Sequence, residues 1–195
     1  MTKAVILLSG GLDSTTCAAW ALRNGFSPVA LSLNYGQRQQ IELASARAVA
    51  ARLGIEHRVI AVDLATAMGG SALTDATIEV PKDRDEQAIG TGVPITYVPA
   101  RNTILLSLAL GLAETLGARH LIIGVNALDC SGYPDCRREF LRAFETLAGL
   151  ATKAGTEDGQ RFEVVAPLLD LTKAQIVRLA LDVDAPLELT HSCYD

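Results

Sequence analysis

No run of lysines or arginines occurs anywhere in this sequence, and Asp plus Glu (22) outnumber Lys plus Arg (17), for a formal net charge of −5. A protein that grips a nucleic-acid backbone needs a concentrated basic face, so that function class is disfavoured unless folding assembles a local patch. Cysteine is scarce. The four, Cys17, Cys130, Cys136 and Cys193, form no C-x-x-C pair and no dense framework. That excludes a small disulfide-stapled scaffold and suits a reducing compartment. Long apolar runs are missing too: the longest, Ile104 to Ala113, has about ten residues where a bilayer span needs about twenty. No signal-peptide architecture surrounds the first apolar residues, so a soluble, cytoplasmic protein is expected. There are no internal repeats and no low-complexity tracts. A chain of 195 residues suits one α/β domain with a sizeable core.

What is present alternates between two periods. Ala4 to Leu8 reads as a short buried strand, Pro28 to Asn34 as a second and His57 to Val62 as a third. Between them, Asp13 to Asn24 has a helical pattern with Gly25 placed as its C-terminal cap. Gln37 to Leu53 is a second helix, with Ile41, Ala44, Ala48 and Ala51 on one face and Gly54 as its stop. Residues from Asp63 to Pro99 lack periodicity and carry "PKDRDE" and "GTGVP". A functional flap or partner contact and plain disorder are the two readings of so long a segment. Beyond it come a helix from Asn102 to Leu116, a strand from His120 to Asn126, and the loop "ALDCSGYPD". A helix from Arg137 to Ala151, a strand near Phe162 to Ala166 and a last helix follow. That last helix opens with the capping-box spacing Thr172-x-x-Gln175. The order predicts a five-stranded, doubly wound parallel α/β sheet with ligands at the carboxyl ends of its strands.

At the first of those ends stands "ILLSGGLDSTT". Gly10 and Gly11 fall in a tight strand-to-helix turn, where the missing Cβ atoms let backbone N–H groups approach a ligand and the helix N-terminus favours an anion. Hydroxyls at Ser9, Ser14, Thr15 and Thr16 can add donors. A ligand-free glycine turn is the plain alternative. The turn is neither G-x-x-x-x-G-K-[ST] nor G-x-G-x-x-G. Further along, Asp129 and Asp135 lie in "GVNALDCSGYPDCR", after the fourth strand. A solvated turn is one reading of that loop. The other is recognition, because a carboxylate pairs with two adjacent N–H donors, such as those on the Watson–Crick edge of a guanine-like base.

S-G-G-L-D-S resembles the pyrophosphate loop of the N-type ATP pyrophosphatases, enzymes that adenylate a carboxylate or carbonyl oxygen. G-V-N-A-L-D-C-S-G-Y-P-D-C-R is more specific. With "PLLDLTKAQIV" and "THSCYD" it resembles the 7-cyano-7-deazaguanine synthase family, nitrile-forming enzymes of queuosine biosynthesis, over nearly the whole chain. The resemblance implies a fold of the adenine nucleotide alpha hydrolase type over residues 1–185. It implies ATP bound along Leu8, Ser9, Gly10, Gly11, Leu12, Asp13, Ser14, Thr15, Thr16, Cys17 and Ala18. The other substrates it implies are 7-carboxy-7-deazaguanine and free ammonia, contacted by Asn126, Asp129, Tyr133 and Asp135. Arg38, Arg101 or Arg137 would hold the substrate carboxylate, a surface arginine being the alternative for each. Asp13 is assigned to Mg2+, with a helix N-cap as its other reading. Lys173 resembles a phosphate-contacting lysine of related amidating enzymes, and a solvated lysine is the alternative. Cys17 reads as a core residue, Cys130 and Cys136 have no assigned role, and His57 and His120 read as structural.

The family resemblance also implies a homodimer, no direct nucleic-acid binding and a four-cysteine Zn2+ site opening at residues 186–195. Only Cys193 occupies a matching position, so the expectation is that the natural protein continues past Asp195 with the other three ligands. The rival functions are a tRNA-thiolating or amidating enzyme of the same superfamily and a non-catalytic ATP-binding stress-type module. The first usually carries an RNA-binding region or a reactive cysteine pair, and the second has its phosphate glycines late in the chain.

Overall fold

The computed structural model describes residues 1–34, 40–61 and 98–191. Its strands are β1 (Thr2–Leu7), β2 (Phe26–Asn34), β3 (His57–Ala61), β4 (His120–Ile122) and β5 (Glu163–Val165). All pair in parallel, in the order β3-β2-β1-β4-β5. The five-stranded parallel α/β sheet expected from the alternating pattern is the sheet observed. The chain winds outward from β1 to β3 and then returns to build β4 and β5 on the other side. The strand order therefore reverses between β1 and β4, and a crevice opens there at the carboxyl ends.

The helices are α1 (Leu12–Arg23), α2 (Gln40–Leu53), α3 (Arg101–Leu116), α4 (Ala127–Gly132), α5 (Arg138–Ala151), α6 (Lys153–Thr156) and α7 (Lys173–Asp182). Because strand side chains alternate, β1 feeds two cores. Val5 packs with Leu106, Leu110 and Ala113 of α3 and with Leu141 and Phe144 of α5. Ala4 and Ile6 pack on the opposite face with Cys17, Ala18 and Ala21 of α1, Val49 and Ala50 of α2, and Ile176 of α7. Gly25 follows the α1 cap with φ +79° and its N–H donates to the Leu22 carbonyl, as its position predicted. No described helix is long and apolar enough to cross a membrane.

Two expectations are corrected. Ile41, Ala44, Ala48 and Ala51 do not form the inner face of α2; Ile41 is 59% exposed, and the buried residues are Leu43, Ala46, Val49 and Ala50. An alanine-rich helix offers small residues on every face, so its period does not settle its phase. The phase follows contact with the Gly10 turn, whose missing Cβ leaves room for the Glu42 carbonyl oxygen and the Ala46 amide nitrogen. The stretch after β4 is also not a plain loop. It forms α4, followed by a 3-10 turn at Pro134–Cys136. Of the Asp63–Pro99 segment, read as a flap or as disorder, residues 63–97 lie outside the described residues, as does Arg38.

Candidate nucleotide-activating site

The turn between β1 and α1 is held by its own hydroxyls. Ser14 Oγ donates to the Gly11 carbonyl at 3.1 Å and accepts from the Ser9 amide at 3.2 Å, while Ser9 Oγ lies 3.0 Å from it. Gly10 sits at φ +87°, a left-handed conformation, with the α2 backbone filling the space of a side chain. The N-cap of α1 is Gly11, so no side chain caps the helix. Its first-turn amides face a place where an anion is favoured. From the other side, Gly124 brings the end of the fourth strand against α1. A Cβ there would stand 3.1 Å from the Asp13 carbonyl carbon and the Ser14 nitrogen.

Asp13 is where three segments meet. Its Oδ2 accepts from Asn126 Nδ2 at 2.9 Å and from Lys173 Nζ, in the first turn of α7, at 2.6 Å. Its Oδ1 is buried without a hydrogen-bond partner among the described residues. Asn126 is 1% exposed and fully engaged. Beyond its bond to Asp13, its Oδ1 accepts from the Leu128 and Asp129 amides, and Asp129 Oδ2 accepts from the Asn126 amide in return. This reciprocal capping box starts α4. Burial raises the Asp129 carboxyl pKa, and the Asn126 amide bond opposes that rise.

Asp135 works behind the wall of the cleft. Its Oδ2 accepts from the Asn102 amide at 2.9 Å, and Asn102 Nδ2 donates to the Asp135 carbonyl and to Cys136 Sγ. This clasp fixes the first turn of α3, entered through Ala100 at φ 54°, and with it Arg101. Asp135 is buried at 7% exposure, and the Cys136 thiol is pushed up to about 12, first by burial and then by Asp129 and Asp135.

The cleft between these elements has a volume of about 520 Å3. Among the expected site residues, Leu8, Ser9, Gly11, Leu12, Asp13, Ser14, Arg101, Asp129, Tyr133 and Lys173 line it. Others stand elsewhere. Thr15, Thr16, Cys17 and Ala18 belong to the second and third turns of α1 and are buried at no measurable exposure. Thr16 Oγ1 donates to the Leu12 carbonyl and Cys17 Sγ to the Ile123 carbonyl. A helix that docks its first turn on a ligand must turn its next residues into the core. Gly10 shapes the turn from beneath. Asn126 and Asp135 sit behind the lining, and Arg137 is exposed, with Nε donating to the Cys130 carbonyl. Arg38 and Cys193 lie outside the described residues.

A model of the family described as "Queuosine biosynthesis protein QueC" matches residues 3–195. The chain belongs to the QueC family. A 7-cyano-7-deazaguanine synthase of Myxococcus xanthus is 58% identical over 194 residues, covering 99% of this chain and 83% of that protein. Another, from Paramagnetospirillum magneticum, is 54% identical over 196 residues, covering 100% and 85%. Among solved structures, a predicted tRNA methyltransferase subunit of Methanocaldococcus jannaschii superposes with a TM-score of 0.58 at 18% identity, covering 93% of this chain and 75% of that one. A 4-thiouridine synthetase in complex with RNA and ATP gives 0.55 at 20% identity, covering 98% and 44%. At such identities these two speak for the fold alone.

This family member's cleft also contains residues that the sequence had not assigned to nucleotide or substrate. Ser32, Glu42, Asn102, Cys136 and His191 all line it. Ser32 donates to the Leu8 carbonyl and lies 2.7 Å from His57 Nε2. His57 is kept toward its neutral form first by burial and then by Arg47. The His191 amide donates to the Gly10 carbonyl at 3.1 Å, so the residues after α7 close against the glycine turn. Asn102 had a signal in its place, beside Arg101 at the expected start of α3. Glu42 had none, since only tertiary packing brings it to the turn, and His191 stands in "THSCYD", a stretch read for zinc and not for the cleft.

Proposed function

We propose that this chain converts 7-carboxy-7-deazaguanine, ATP and ammonia into 7-cyano-7-deazaguanine, the product its QueC relatives are named for. The observation that carries the reading is the meeting of an uncapped helix N-terminus, Lys173 and the half-used carboxylate of Asp13 in one cleft. A carboxylate is a poor electrophile because oxide would have to leave. ATP solves this when a substrate carboxylate oxygen attacks its α-phosphorus and pyrophosphate departs. The α1 amides, Lys173 and Arg101 stabilise the charge on the phosphates, the main catalytic contribution in such transfers. Ammonia then displaces AMP to give the amide, whose oxygen is activated by ATP in its turn and leaves on the phosphate as the C–N bond becomes a nitrile and nitrogen loses its two protons.

A Mg2+ ion fits these residues. Magnesium is held by one or two carboxylates together with substrate phosphates, and Asp13 Oδ1 is a buried oxygen with no partner among the described residues. Asp13 would hold the ion, which neutralises phosphate charge when bound. A structural Zn2+ does not fit the described residues: no group of three or more His, Cys, Asp or Glu is placed for a metal among them. Cys17 is in the core, Cys130 lies within α4 and Cys136 in the 3-10 turn after it, so no step is routed through zinc. The substrate face is proposed for Asp129 and Tyr133. Small-molecule partners, a homodimer, no nucleic-acid partner and a cytoplasmic location belong to the same reading.

The test is product analysis. Purified protein with ATP, Mg2+, ammonium and the carboxylic acid should yield the nitrile by mass spectrometry. Conversion of no carboxydeazaguanine under any nucleotide would overturn the proposal.

A further inference from the structure

Four carboxylates stand at the cleft or directly behind it, and three have fixed duties. Asp13 Oδ2 serves Asn126 and Lys173, Asp129 serves the Asn126 amide, and Asp135 serves the Asn102 amide. The fourth, Glu42, lines the cleft half-buried and makes no hydrogen bond or ion pair with any described residue. Its position is not loose. The Glu42 backbone oxygen is one of the atoms packed into the space beside Gly10, so this residue borders the phosphate turn by construction. Burial raises its carboxyl pKa, with Arg101 and then His191 pulling it back.

Amination needs such a group. Ammonia exists at neutral pH mainly as ammonium, which has no lone pair and cannot attack. A carboxylate without a hydrogen bond to any described residue, partly withdrawn from water and beside the turn that binds the phosphates, can hold the cation and accept its proton. We propose that Glu42 is the ammonium-binding group and proton acceptor of the amination step. The proposal rests on the reading of function above. Ammonium passes one proton to the Glu42 carboxylate, and the freed nitrogen lone pair forms a C–N bond to the acyl carbon. The bond from that carbon to the AMP oxygen breaks, its electron pair leaving on AMP, and the second proton lost by nitrogen goes to water.

The experiment separates the two half-reactions in the full chain. Glu42→Gln keeps the shape of the side chain and removes the base. Substrate-dependent exchange of labelled pyrophosphate into ATP should stay within about twofold of the parent. Amide formation from ammonium chloride should fall about a hundredfold, the ordinary scale of a lost general base. Hydroxylamine is neutral near pH 8 and needs no such deprotonation, so hydroxamate formation should be spared. Glu42→Asp should recover part of the ammonium-dependent rate. Equal losses with ammonium and hydroxylamine, or loss of exchange in step with amination, would overturn the proposal. So would a raised KM for ATP with an unchanged KM for ammonium, which would give Glu42 to the nucleotide. Absence of exchange in the parent would refute the underlying function instead, and the proposal with it.

Discussion

Asp13 carries two loads on one carboxylate. Oδ2 ties α1 to Asn126 and to Lys173, while Oδ1 is buried without a partner among the described residues, where the proposed Mg2+ would bind. Asp13→Asn should therefore abolish turnover, by about a hundredfold or more, as loss of a transition-state electrostatic contact does. The fold should survive, because the ion pair to the half-exposed Lys173 contributes less than about 1 kcal/mol. Near-parental turnover at saturating Mg2+ would contradict this. Asp135 makes the opposite prediction. Its carboxylate satisfies a buried backbone amide, so Asp135→Ala should destabilise the protein by about 1–3 kcal/mol in urea unfolding. Through Arg101, ATP and the deazapurine should then weaken together. A selective loss of the deazapurine at unchanged stability would restore Asp135 to substrate recognition. For the cysteines, sulfur is protected by burial. Cys136, pushed up to about 12, and Cys17, raised further, should resist iodoacetamide at about pH 8 in the folded protein and react once it is unfolded, as peptide mass spectrometry would read.

Among the elements, the two capping boxes differ in how visible they are. Thr172-x-x-Gln175 announced α7, and the structure closes it: Thr172 accepts from the Gln175 amide and Gln175 from the Thr172 amide. Asn126-x-x-Asp129 has the same spacing, yet the glycine and proline around it read as a loop. The pattern was on the page, and the turn residues outweighed it. The phase of α2 was not there to be found, since alanines on several faces fit a helix of either phase. What fixes it is the Gly10 turn, a contact between residues more than thirty positions apart. Gly10→Ala tests that contact. A Cβ there would overlap the α2 backbone and force a left-handed conformation on alanine, so the variant should lose more than about 2 kcal/mol of stability, seen in thermal unfolding. A near-parental melting temperature would mean α2 is not seated as described.

The molecule as a whole puts its chemistry where the winding reverses. The strand alternation, the five strands and the glycine turn at the end of β1 were legible, because each is written in a local period or a short motif. The glycine at position 124 and the residues of "GVNALDC" were legible as a site, but their division of labour was not. Asn126 and Asp135 were expected against the substrate; in the fold the Asn126 side chain holds that of Asp13, and the Asp135 carboxylate holds the Asn102 backbone amide. Glu42 reaches the cleft with no local mark, and His191 reaches it from a stretch read for zinc. The reaction proposed for this cleft begins with transfer of the adenylyl group of ATP to the carboxylate of 7-carboxy-7-deazaguanine. The most direct measurement is exchange of radiolabelled pyrophosphate into ATP, with and without the deazapurine and without ammonia. Exchange should require the deazapurine and disappear in Asp13→Asn. Exchange indifferent to the deazapurine, or none with the intact protein while ATP is consumed, would contradict the proposal.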